Sequence, residues 1–183
     1  MDVNRREWLF GSLTAAGFAE IAAAREHARH AAAKTTAPQF EFFDASMAAD
    51  VAVIAEQILP SGDGPGAKET GVIYFIDRAL KTFDADQQKV YRAGIAEVRE
   101  TSRKLFPNAA NIAKLNGEQQ LALVKAIEHT DFFETVRVHT LLGFLGNPSY
   151  GGNRGNAGWT YIGFEDRMAW EPPFGYYDVE EPK

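Results

Sequence analysis

Beyond Pro38 the apolar positions recur at helical spacing, and no run alternates apolar and polar residues as a half-buried strand would. In DASMAADVAVIAEQILP, Met47, Val51, Ile54 and Ile58 fall on one face. Asp44 or Ser46 is placed to cap that helix, and Pro60 to end it. The loop SGDGPGAKE follows. The spacing then predicts a helix over GVIYFIDRAL, capped by Thr70, with Val72, Ile76 and Leu80 sharing a face. A longer helix, capped by Asp84 and closed by Pro107, lines up Tyr91, Ile95, Val98, Ser102 and Leu105. Asn116, with Glu118 and Gln119 behind it, starts the helix EQQLALVKAIEHT. The last helix covers FFETVRVHTLLGFLG. Its second half is apolar nearly all round, which predicts the buried central helix of the fold. The expected fold class is all-α, a small bundle of about five helices.

From about Gly146 the pattern is lost. Residues 146–183 are rich in Gly, Pro, Asn and aromatics, with no helical period beyond a turn or two, which predicts an irregular C-terminal segment. Pro172 and Pro173 favour an extended end. Three regions are therefore expected: a leader at 1–37, a helical body at 38–145 and an irregular loop and tail at 146–183.

The leader reading comes from the first residues. Arg5 and Arg6 are adjacent, Trp8, Leu9 and Phe10 follow, and an Ala- and Gly-rich run extends to about Ala24. Paired arginines ahead of a weakly apolar run, with small residues at Ala31–Ala33, match a twin-arginine export signal. The plainer alternative is an arginine pair on an Ala-rich helix. Glu7 and Glu20 depart from the usual signal, and Glu20 also argues against a membrane-spanning helix. Residues 1–37 carry five Lys/Arg against four Asp/Glu, leaving 14 against 21, or −7, for the rest. An acidic body behind an Arg-bearing leader fits a detachable leader. The whole-chain charge of −6 predicts no nucleic-acid partner.

Chemistry is hard to find in the body. With no cysteine in the chain, disulfides, thiolate metal sites, thiol nucleophiles and C-x-x-C-H haem attachment are excluded. GDGPGAK fails as a phosphate loop: its glycine spacing is wrong, Ala67 separates Gly66 from Lys68, and Glu69 stands where a hydroxyl is required. No G-x-G-x-x-G follows a strand, so no dinucleotide fold is expected. His129 and His139 lie ten residues apart with no carboxylate at i+4, and so form no metal pair. His139 is read as a core or interface histidine bonded to backbone, in preference to a catalytic base. Glu128, Asp131 and Glu134 are read as helix-end charges. No catalytic, cofactor-binding or metal-binding residue is therefore assigned.

What remains is GFLGNPSYGGNRGNAGW. Gly151 and Gly152 permit sharp bends or close backbone approach. Asn147, Asn153 and Asn156 suit left-handed turns. Tyr150, Trp159, Tyr161 and Phe164 offer interface-type anchors. A tightly folded internal loop and a partner interface explain these residues equally well.

Together, ILPSGDGPGAKETGVIYFIDRAL and FFETVRVHTLLGFLGNPSYGGNRGNAGWTYIGF resemble the gluconate 2-dehydrogenase subunit 3 family, the small subunit of bacterial FAD-dependent sugar and sugar-acid dehydrogenases. The resemblance runs from the arginine pair to about Phe164 and is most specific at Gly146, Asn147, Pro148, Tyr150–Asn153, Gly158 and Trp159. It implies a non-catalytic subunit with no cofactor of its own. Its partner would be a large FAD-binding subunit of the glucose–methanol–choline oxidoreductase type; some such complexes add a haem c subunit. It further implies co-export of both subunits to the periplasm by the twin-arginine translocase, with Arg5 and Arg6 as the signal. Asn147, Pro148, Tyr150, Gly151, Gly152, Asn153, Trp159 and Phe164 are the expected partner interface. An independent periplasmic saccharide-binding protein or enzyme, using Tyr150, Asn153, Arg154 and Trp159, is the competing expectation.

Overall fold

A computed structural model describes residues 39–167 and residue 169; the arginine pair and the sequence beyond Ala169 lie outside the described residues. Six α-helices and no strand occur among the described residues. They are α1 (Ala45–Ile58), α2 (Val72–Lys81), α3 (Gln88–Leu105), α4 (Gly117–Ile127), α5 (Asp131–Leu145) and α6 (Ala157–Ile162). Short 3-10 turns at Ala85–Gln87, Ile112–Lys114, Pro148–Tyr150 and Arg154–Asn156 join them. The fold is all-α, with one short helix more than the periodicity predicts, set inside the Gly/Asn-rich segment.

Three helix starts follow side-chain chemistry. Asp44 accepts from the Met47 amide at 2.7 Å, Asn116 and Gln119 form a reciprocal capping box, and Thr130 accepts from the Phe133 amide. Each such cap is worth about 1 kcal/mol. Two other expected caps are absent. Thr70 turns its hydroxyl back to the Gly66 carbonyl, and α2 instead begins at Gly71 in the left-handed region. Asp84 caps nothing, because a 3-10 turn intervenes and its carboxylate is spent on His139.

The core is assembled on α5, which packs against α1, α2, α3 and α6. Val51 and Ile54 of α1, Val72, Ile76 and Leu80 of α2, Tyr91, Ile95 and Val98 of α3, and Val136 of α5 are buried. Burying one such aliphatic side chain contributes about 1.5–3 kcal/mol. The predicted α3 stripe ends one turn early: Ser102 is buried but Leu105 is exposed. A polar tether closes the N-terminal side. The buried carboxylate of Asp77 accepts from the amides of Glu41, Phe42 and Phe43 at 2.8–3.0 Å, pinning the segment that leads into α1 against α2. Three backbone donors satisfy a charge that would otherwise be costly to bury.

Candidate functional site

The Gly/Asn loop lies across α2 and α5 and divides into inward and outward residues. Asn147 starts the 3-10 turn at Pro148 by accepting from the Ser149 amide, and Arg78 of α2 donates to the Ser149 carbonyl. Gly152 passes so close to α5 that a Cβ there would lie 2.1 Å from the Gly143 carbonyl oxygen. Asn153 is fully buried in the left-handed region, and both ends of its amide are used. Nδ2 donates to the Gly146 carbonyl at 2.9 Å, and Oδ1 accepts from the Gly158 amide at 2.8 Å. One side chain thereby clips the end of α5 to the start of α6. Trp159 Nε1 donates to the Leu145 carbonyl at 2.6 Å, and its ring packs on Phe164. The amide of Asn153 and the indole N–H of Trp159 are thus committed within the chain, while the Trp159 ring is half-buried. Tyr150 and Phe164 are presented outward, as are Tyr161 and Ile162 of α6.

The larger outward surface is on α5, and here the reading of a helix buried all round is corrected. Its inner face carries Phe132, Val136, His139, Thr140, Gly143 and Phe144, all buried. Val138, Leu141, Leu142 and Leu145, spaced i, i+3, i+4 and i+7, are 38–48 % exposed. That spacing is one continuous apolar stripe. The helix is apolar on two faces, and only one is covered by the described residues. Phe83, 60 % exposed, meets the Tyr150 ring edge-on at 6.3 Å, and its chain neighbour Asp84 lines the same cavity as Val138 of the stripe. Single exposed apolar residues are ordinary, but a helical stripe near an aromatic pair marks an interaction surface.

Beside this stripe lies a small network. His139, buried on α5, faces the Tyr91 hydroxyl through Nδ1 at 2.9 Å and an Asp84 carboxylate oxygen through Nε2 at 2.6 Å. Its partners are these two side chains and not backbone, which corrects the sequence expectation. Burial, reinforced by the negative charge of Asp84, pushes the Tyr91 phenol well above its ordinary pKa. The phenol therefore keeps its proton, and a hydrogen bond joins it to Nδ1 while Nε2 is bonded to the Asp84 carboxylate. Every polar atom of His139 is partnered. The arrangement fixes the Phe83–Asp84 turn against α5 and so sets where Phe83 projects. A cavity of about 260 Å³ opens next to it, lined by Asp84, Gln87, Glu134, Thr135, Val138 and His139. Of the predicted helix-end acids, Asp131 and Glu134 lie in the first turn of α5, with Glu134 paired to Arg137. No group of three His, Asp or Glu side chains suited to a metal ion occurs among the described residues. No helix there is long and apolar enough to cross a membrane.

Residues 45–166, two thirds of the chain, match the family model for gluconate 2-dehydrogenase subunit 3. The chain belongs to that family. No curated protein and no solved structure matches it significantly. The subunit 3 match spans α1 to α6, and so includes the α5 stripe, Phe83 and the whole Gly/Asn loop. Membership is consistent with an accessory subunit of a dehydrogenase. The α5 stripe and Phe83 escaped the reading of the sequence because an apolar residue carries the same signal whether its own chain or another covers it. The i, i+3, i+4, i+7 spacing of Val138, Leu141, Leu142 and Leu145 was the available clue.

Proposed function

We propose that this subunit binds and stabilises the large FAD-dependent subunit of a periplasmic sugar or sugar-acid dehydrogenase, without performing chemistry itself, and carries it through the twin-arginine translocase. The observation behind the binding role is the half-exposed α5 stripe, together with the exposed Phe83–Tyr150 pair, on a chain whose family is named for a dehydrogenase subunit. Flavin and catalytic residues are assigned to the partner, of the glucose–methanol–choline oxidoreductase type, and onward electron transfer to a cytochrome c subunit where the complex has one. The export role is motivated by Arg5 and Arg6.

In this reading the loop and the stripe have different tasks. Asn147, Gly151, Gly152, Asn153 and Trp159 shape and lock the scaffold, whereas Tyr150, Phe164 and the α5 leucines meet the partner. Rigid aromatic anchors lose little entropy on association and often dominate binding energy.

Co-expression of the C-terminally tagged chain with the neighbouring reading frame tests the proposal. The expected result is a yellow complex with a larger flavoprotein after pull-down. A colourless, solitary, monodisperse chain would sink it. Replacing Arg5 and Arg6 by lysine should strand both subunits in the cytoplasm; normal export of that double variant would refute the signal.

A further inference from the structure

The body of this protein is acidic, yet one notch on it is basic and preorganised. Arg154 places its guanidinium 3.9 Å over the Tyr74 ring, and Tyr74 in turn stacks on Phe40 at 5.2 Å. The Arg154 backbone amide donates to the Thr70 carbonyl at 3.0 Å, and its neighbours Asn153 and Gly155 are both left-handed. At Gly71, whose φ is +70°, a Cβ would lie 2.5 Å from Arg154 Nε, so the arginine lies against a position that glycine keeps open. Stacking of this kind fixes one face of the guanidinium and leaves its N–H edges available.

Among the described residues, no carboxylate lies within ion-pair distance of Arg154 and no acceptor takes a bond from its guanidinium. Lys68 lines the same cleft; it feels its neighbour Glu69 but closes no ion pair among the described residues. The cleft has a volume of about 190 Å³, and Ala52, Ala55, Ala67 and Ile73 line it beside the two cations and Tyr74. A fork of N–H donors beside an ammonium, over a lining of small apolar side chains, suits a carboxylate carried on methylene groups.

We infer that this Arg154–Lys68–Tyr74 cleft receives a glutamate or aspartate side chain of the large subunit and forms the charged edge of the interface. The inference rests on the subunit reading above and adds the chemistry of the partner. Arg154 is four residues from Tyr150, a separation of at most about 14 Å along the chain. A subunit interface of ordinary size, about 800 Å² on each side, covers both. The apolar stripe supplies adhesion; the arginine supplies register and a salt-sensitive contribution.

The test uses the co-expressed complex and measures the affinity of the full chain for the flavoprotein across a range of salt concentrations. Arg154→Gln should weaken binding about tenfold and flatten its salt dependence; Arg154→Lys should fall between that variant and the unsubstituted chain, because it keeps the charge but loses the fork. Thermal melting of each free variant, expected within a degree or two of the parent, separates lost contact from lost fold. Arg154→Gln binding with unchanged affinity and salt slope overturns the inference while leaving the subunit reading in place. Failure of the unsubstituted chain to bind any flavoprotein overturns the subunit reading itself. If removal of residues 170–183 abolishes the Arg154→Gln effect, the carboxylate comes from this chain's own acidic terminus and the inference is overturned.

Discussion

Val136 and Leu142 stand six residues apart on the same helix and are chemically alike, yet Val136 is fully buried and Leu142 is 48 % exposed. The two faces of α5 differ in what covers them. The inner face is enclosed by α1, α2 and α3. The outer face leaves Val138, Leu141, Leu142 and Leu145 38–48 % exposed. Residues on the inner face hold the fold together. The outer leucines contribute less to the fold and leave apolar area in water that a partner can cover. The Gly/Asn loop repeats this division on a smaller scale, with Asn153 turned inward and Tyr150 outward.

This division can be broken by substitution. The largest effect is expected at Val136→Asp, which puts an unpaired charge into a fully buried site and should cost more than 4 kcal/mol, enough to prevent cooperative folding in urea titration. Next is His139→Leu. It leaves the Tyr91 hydroxyl buried without its partner and frees Asp84, and should cost about 2–3 kcal/mol by chemical denaturation. Because Asp84 adjoins Phe83, the same variant should also weaken partner capture, which joins the two faces through one residue. Asn153→Ala should cost about 2 kcal/mol through two lost hydrogen bonds and a left-handed backbone that alanine resists. Its signature is faster amide exchange in α6 while α1–α4 keep their protection. The smallest change in stability belongs to Leu142→Asp, about 1 kcal/mol, because nearly half of the side chain is already in water; the loss is of partial packing and of a good helix former in the last turn of α5. Among variants that still fold, Leu142→Asp should disturb assembly far more than its small effect on stability suggests.

Much of the bundle was legible in the sequence, for local reasons. The Asp44 cap and the Asn116–Gln119 capping box are short-range hydrogen bonds between fixed offsets, and the Val72, Ile76, Leu80 face is a matter of period alone. The caps assigned to Thr70 and Asp84 failed because tertiary partners took those side chains: the Gly66 carbonyl in one case and His139 in the other. The Asp77 tether to residues 41–43 spans more than 30 positions and leaves no local trace. The site was harder to read than the fold. Gly152 and Asn153 stand out in the sequence because they suit close backbone approach and left-handed turns, and both are used inside the chain, Gly152 against the Gly143 carbonyl and Asn153 between the end of α5 and the start of α6. The α5 stripe gave the opposite difficulty: four aliphatic residues read as core until the helices around them were placed.

One paired measurement bears most directly on the account. The Leu142→Asp/Leu145→Asp double variant should be compared with the unsubstituted chain, first for melting temperature alone and then for capture of the co-expressed flavoprotein. The expected result is a cooperative melting transition lowered by at most a few degrees, together with loss of the yellow complex. Capture retained at full strength by a double variant that melts cooperatively would contradict the claim that the outer face of α5 is where this subunit meets its partner.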